Sequence, residues 1–190
     1  MENIEYALLP DYLAKTYTKE DRQRPSAQDG GAFFFSQEIH RPYFLKTADE
    51  LPLAFFLPKL GIFGGMVLAP KESLQEKLLH DFKAFLDQEK AKPEEVYFFF
   101  GPSLTFSHVV IDRPTLLEIM ALGYRGAAKR TNGLDFFDVP MMNFLQLRKL
   151  GVPAQNITLD AHDTFEDDAL LYSRSRGDKE NNFTLIERLR

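Results

Sequence analysis

The stretch Thr47-Ala48-Asp49-Glu50-Leu51-Pro52, continuing into Leu53-Ala54-Phe55-Phe56-Leu57, sets a short polar segment directly before an apolar run. A run of that length, rich in leucine and phenylalanine, reads as a strand, with Glu50 an exposed or salt-bridged carboxylate at its start. Two further runs, Phe33-Phe34-Phe35 and Phe98-Phe99-Phe100, are short and aromatic and are bounded by turn formers. They read as strands covered on both faces, and so as core. A platform for stacking bases would need exposed rings beside Lys or Arg, which these runs lack.

Outward from that strand, extended and helical patterns alternate. Strand-like runs occupy Leu51 to Leu57, Gly61 to Leu68, Val96 to Phe100, Leu134 to Phe137, Ile157 to Leu159 and Phe183 to Leu189. Between Pro70 and Gln88, Leu74, Leu78, Phe82 and Phe85 recur at helical spacing, with charged residues on the other faces. Asp112 and Gly123 bracket a second helix, and Asp138 with Pro140 and Gly151 bracket a third. The polar segment from Tyr17 to Gly31 reads as an exposed loop joining a short N-terminal helix to the first strand. The alternation predicts an α+β fold of mixed β-sheets with flanking helices. One domain is expected over residues 1–190.

Composition excludes several chemistries. The chain of 190 residues is 44% hydrophobic and contains no cysteine. A thiolate nucleophile, a thiolate metal ligand and a disulfide framework are therefore all ruled out. A net charge of -5 offers no footprint for nucleic acid. No apolar run reaches the roughly 18 residues of a membrane span. The N-terminal MENIEYALLPDYLAK has acidic residues and a proline where a secretory signal would be basic and then continuously apolar. The expectation is a soluble cytoplasmic protein that binds neither nucleic acid nor membrane.

Polar groups suited to chemistry are few. Gly101-Pro102-Ser103-Leu104 follows a buried strand and forms a tight turn whose amides could approach a ligand. Ser173, Arg174, Arg176 and Lys179 bring guanidinium groups close enough to match phosphate geometry, although adjacent Asp178 and Glu180 equally fit a solvated charged loop. Arg125, Lys129 and Arg130 read as an exposed basic loop, and His80 and His108 as surface histidines.

From Phe137 onward the order is a helix led by Asp138, a Gly151-Val152-Pro153 turn, an Asn156-Ile157 strand, the Asp163-Thr164 pair, the Ser173-to-Arg176 stretch and a last Asn182-to-Ile186 strand. Together with TADELP at 47–52 and Gly101-Pro102, this order resembles the laccase-domain, or polyphenol-oxidase-type, family. That resemblance implies a four-layer α/β/β/α arrangement. It also implies purine nucleoside phosphorylase activity with accessory adenosine deamination, and a zinc or copper ion held by one cysteine and two histidines.

The departures from that pattern fall on the reactive positions. The family cysteine corresponds to Glu50, and the histidine of its His-Ala-Gly segment to Leu68. Gln37-Glu38-Ile39-His40 resembles the segment carrying the other histidine, but at a much shorter interval from Glu50. A long part of the family's N-terminal half has no counterpart. With those ligands missing, no cofactor is expected. The expectation is a divergent member that has lost the Cys/His metal site and binds a small nucleoside- or phosphate-like ligand, or a protein partner, without catalysis. Ser173, Arg174, Arg176 and Gly101 are then the ligand-binding candidates. The alternative is an active phosphorylase or deaminase with a rebuilt acidic site. Glu50 and Asp163 would act there as acid or base, with His40 and His162 the imidazoles available to a hard metal ion.

Overall fold

The computed structural model describes residues 4–9, 11–21, 26–106 and 108–189. In chain order the strands are β1 (Ile4–Leu9), β2 (Tyr12–Tyr17), β3 (Gln28–Asp29), β4 (Phe33–Ser36), β5 (Tyr43–Thr47), β6 (Leu51–Leu57), β7 (Ile62–Leu68), β8 (Tyr97–Phe100), β9 (Val110–Ile111), β10 (Ala128–Thr131), β11 (Leu134–Phe137), β12 (Ile157–Leu159) and β13 (Asn182–Arg188). The helices are α1 (Pro70–Leu74), α2 (Lys77–Glu89), α3 (Arg113–Ala121) and α4 (Val139–Leu150).

Two five-stranded sheets, ordered β1-β2-β13-β5-β3 and β12-β8-β6-β7-β4, pack face to face. Alternation decides which side chains meet between them. Tyr12, Ala14, Tyr43, Leu45 and Ile186 of the first sheet bury against Ala54, Phe56, Phe63 and Phe99 of the second. The opposite face of the second sheet carries Leu53, Phe55, Phe98 and Phe100, and α2, α3 and α4 cover it with Phe82, Phe85, Ile119, Met142 and Leu147. The central strand β6 is buried along its whole length because both of its faces are covered. A small sheet, β10-β11-β9, lies beside α3.

The result is α+β, with mixed sheets and helices as expected. The helices gather in the core of the second sheet. On the first sheet's outer face, where a four-layer scheme would set another helical layer, Tyr17, Phe44 and Leu185 form a small cluster with Ala27 and Phe183. Several local expectations are corrected. The N-terminal segment forms the β1–β2 hairpin rather than a helix, because Tyr12, Ala14 and Thr16 point inward at period two. Within the expected 17–31 loop, Tyr17 is buried at the end of β2 and Gln28–Asp29 pairs with β5, while residues 22–25 lie outside the described residues. The helix expected from Pro70 to Gln88 is two helices, broken at Glu76, which takes φ 53°. Arg125, Lys129 and Arg130 do not form a loop. Lys129 and Arg130 sit in β10, joined to β11 by an Asn132-Gly133 turn with both residues at positive φ. Phe33-Phe34-Phe35 is an edge strand, and Phe35 is 41% exposed.

Candidate functional site

Four connections meet at one end of the sandwich: the 48–50 segment before β6, the 101–105 turn after β8, the 160–168 loop after β12, and the 171–178 loop leading into β13. Parallel pairing of β12 with β8 brings two of them together, and it continues past the strands as a bridge between Ser103 and Asp163. Asn182, at the start of β13, joins the others. Its amide donates to Ala48 O at 3.2 Å and Tyr172 O at 2.8 Å, and its carbonyl accepts from Tyr172 N–H at 2.9 Å.

The hub is Asp49, which the sequence reading passed over. Its Oδ1 accepts from the hydroxyls of Ser173 (2.7 Å) and Thr164 (3.2 Å), and its Oδ2 from the N–H and hydroxyl of Ser175 (both 2.7 Å). Asp163 is the second anchor. Its Oδ2 accepts from Thr105 N–H (2.8 Å) and Oγ1 (2.5 Å), and its Oδ1 from the amides of Phe165 (2.7 Å) and Glu166 (3.2 Å). Burial pushes the Asp163 pKa up, but the bonds from Thr105, Phe165 and Glu166 outweigh it and hold the carboxyl below the usual range. Such a group is a poor general acid or base near neutrality.

The remaining candidates are placed as follows. The Oε2 of Glu50 turns back onto the amides of Ala48 (2.9 Å) and Asp49 (3.3 Å). Ser173 is fully buried beneath Asp49. Arg176 does not face an open phosphate site. Its guanidinium donates to the carbonyls of Thr164 (3.0 Å), Phe165 (2.7 Å) and Leu171 (2.6 Å) and to Asp178. Arg174 lies outside at the surface, bonded to Asn181 Oδ1 at 3.1 Å. The two arginines therefore do not form a pair. Gly101 is buried, and its amide is taken by Pro52 O at 2.8 Å. A Cβ there would lie 2.9 Å from the Pro52 ring and 3.4 Å from the Thr16 hydroxyl, so the glycine serves contact between the sheets.

The histidines do not converge. His162 shares a 2.6 Å bond between Nδ1 and Asp160 Oδ1. His40 donates its amide to Arg188 O. That places it at the far end of β5 from Glu50, about 13 Å along the strand alone at ~3.3 Å per residue. His108 is stacked on Phe165 with centroids 4.4 Å apart and bonded to Glu166 at 2.8 Å, so it is a packed residue of this end rather than a free surface one. Among the described residues, no three His, Asp or Glu side chains form a group able to hold a metal ion. Leu68, fully buried, pairs with Leu51 across the β6–β7 ladder. A zinc or copper ion of the implied kind does not fit these residues. Cavities near 550 and 250 Å³ open elsewhere, the first around Pro58, Lys92 and Tyr97, the second around Asp29, Lys46 and Val67.

Fold and site together define an α+β two-sheet protein whose loops at one end are locked by carboxylate, hydroxyl and guanidinium groups. The sequence profile of the multi-copper polyphenol oxidoreductase laccase family matches residues 16–184, and the chain belongs to that family. Three solved structures share its fold: YlmD from Geobacillus stearothermophilus (21% identity, TM-score 0.73), YfiH, a hypothetical protein from Bacillus licheniformis (17%, 0.74), and NMB0706 from Neisseria meningitidis (17%, 0.70). The matches cover 84, 83 and 83% of this chain but 61, 61 and 64% of those, so the chain spans under two thirds of each neighbour's length. No curated protein matches it in sequence. No helix among the described residues is long and apolar enough to cross a membrane.

Proposed function

We propose that this chain is a non-catalytic member of the laccase-domain family that acts by binding. The observation that carries the reading is the state of the residues at the family's reactive positions. Leu68 has no lone pair to offer, and Glu50 is engaged by the amides of its own loop. Asp163, the other acid–base candidate, is held ionised by four donors. Between the two kinds of partner, a small nucleoside- or phosphate-like molecule and a protein, these contacts favour a protein. Arg176 braces three carbonyls and Ser173 is buried, so neither meets an anion without dismantling the loops.

A phosphate-dependent adenosine assay on the purified protein, run beside elemental analysis for zinc and copper, tests this reading. The expected outcome is no formation of adenine, inosine or hypoxanthine above a buffer blank. Turnover that disappears in Glu50→Ala or Asp163→Asn would instead establish the active alternative with a rebuilt acidic site.

A further inference from the structure

We propose that two copies of this chain associate through the free edge of β4, forming one antiparallel sheet across a twofold axis centred on Phe34. Strand β4 ends the second sheet and, among the described residues, pairs only with β7. The amide of Val67 donates to Ala32 O. With Ala32 opposite Val67, the backbone groups of Phe34 and Ser36 face β7 and those of Phe33 and Phe35 face outward.

That phase fits a second copy. Antiparallel pairing keeps side chains on matching faces only when the paired residue numbers sum to an even number, and centring on Phe34 sets Phe33 opposite the partner's Phe35. Those are the two residues whose N–H and C=O point outward, so each such pair exchanges both of its main-chain bonds. The same register sets Ala32 opposite the partner's Ser36, where neither side chain is bulky.

Side chains point the same way. Phe33 and Phe35 lie on the helical side of the sheet, where Phe35 is 5.1 Å from Phe85 and Phe33 stacks on Phe55. Beside them runs a cavity of about 340 Å³ lined by Phe33, Phe35, Asp81, Ala84, Phe85 and Gln88. The twofold brings the partner's exposed Phe35 over this cavity and continues the aromatic cluster across the seam. The flanking charges are already paired within the chain, Glu38 with Arg41, Asp29 with Lys46 and Asp81 with Lys77. A second copy therefore meets a locally neutral rim. Of the devices that normally protect an edge, β4 has its short length of four residues, but Phe33–Ser36 contains no lysine or proline and its ladder with β7 has no bulge.

Sedimentation equilibrium of the intact chain tests the proposal. Wild type is expected at twice the chain mass at concentrations up to about 100 µM. Phe35→Lys and Phe35→Pro are expected at the single-chain mass with unchanged far-UV circular dichroism, since the outward amide of Phe35 has no bond to β7 to lose. Should either variant fail to fold, Ala32→Cys/Ser36→Cys supplies an independent reading. The natural chain has no cysteine, and the proposed register alone sets position 32 against position 36 of the second copy, so mild oxidation should give a covalent dimer. A wild-type protein at single-chain mass throughout that range, a dimer that persists in folded Phe35→Pro, or failure of the double cysteine variant to cross-link would each overturn the proposal.

Discussion

Replacing Asp49 should damage this protein more than replacing Glu50, although the resemblance sets the family's cysteine at Glu50. Asp49→Ala removes the acceptor of two hydroxyls, on Thr164 and Ser173, that belong to fully buried residues, and of two donors on exposed Ser175. Water can replace the partner of Ser175 but not readily that of the buried pair. Each buried donor left unmatched costs roughly 1–3 kcal/mol; allowing the hydroxyls some rotation toward other acceptors, about 2–4 kcal/mol in total is expected. Glu50→Ala frees two amides, one on buried Ala48 and a longer-bonded one on half-buried Asp49, which should cost about 1–2 kcal/mol. Urea unfolding followed by far-UV circular dichroism resolves the two. With m near 2 kcal/mol/M for a domain of this size, the Asp49 variant should unfold about 1–2 M earlier than wild type. A loss for Glu50→Ala equal to or greater than that for Asp49→Ala would refute the reasoning, because it would make Glu50 the supporting carboxylate of this end.

Two other substitutions test the same end of the molecule. Arg176→Gln should cost about 2–4 kcal/mol, since glutamine's amide cannot reach all three carbonyls and Asp178. If Arg176 is a brace, inorganic phosphate should raise the wild-type Tm no more than chloride at equal ionic strength, and a phosphate-specific rise that vanishes in the variant would contradict that role. Asp163 has a folded-state pKa below its unfolded value, so its contribution is complete above the ordinary carboxylate range and is lost as pH falls through the folded pKa. Asp163→Asn should therefore be destabilised near neutral pH, with the gap to wild type closing as pH falls through the ordinary carboxylate range and on through the lowered folded-state pKa. Urea midpoints across that range measure it, and a gap independent of pH would mean that the charge of Asp163 contributes nothing.

The fold was largely legible because burial on both faces writes itself into composition. Leu51 to Leu57, Leu134 to Phe137 and Ile157 to Leu159 lie in strands with the bounds read from their apolar runs, and α3 and α4 begin at Asp112 and Asp138, each accepting an amide bond from three residues on. Phe33-Phe34-Phe35 misled because an aromatic run does not say whether its strand lies inside a sheet or at its edge, where Phe35 is left exposed. The β10–β11 hairpin carried a readable signal, Asn132-Gly133 between extended residues, that the basic charges around it obscured. The break at Glu76 had none, since a glutamate at positive φ is held by tertiary contacts with Tyr124 and Lys149 that no local pattern encodes. Burial together with the bond to Glu76 pushes the Tyr124 hydroxyl up to about 12.

Legibility of the site failed for a different reason. The resemblance directs attention to Glu50 and Leu68, where it sets the family's cysteine and one of its histidines. What decides the character of this end is whether lone pairs remain available, and that depends on partners brought from 50 to 130 residues away, as Thr105 is to Asp163 and Ser175 to Asp49. A ligand-holding site keeps acceptors that the protein itself leaves unmatched, so that an incoming ion or substrate supplies the missing half of each interaction. At this end the oxygens of Asp49 and Asp163 are matched by hydroxyls and amides of the same chain, and the Arg176 guanidinium is matched by its carbonyls, while buried Ser103 Oγ and Asp160 Oδ2 of the same loops have no hydrogen-bond partner among the described residues. Matched groups rigidify and orient loops. Asp49, Asp163 and Arg176 therefore hold the 48–50, 101–105, 160–168 and 171–178 segments to one another, and a ligand at this end would have to displace those bonds or use the few atoms that the chain leaves unmatched.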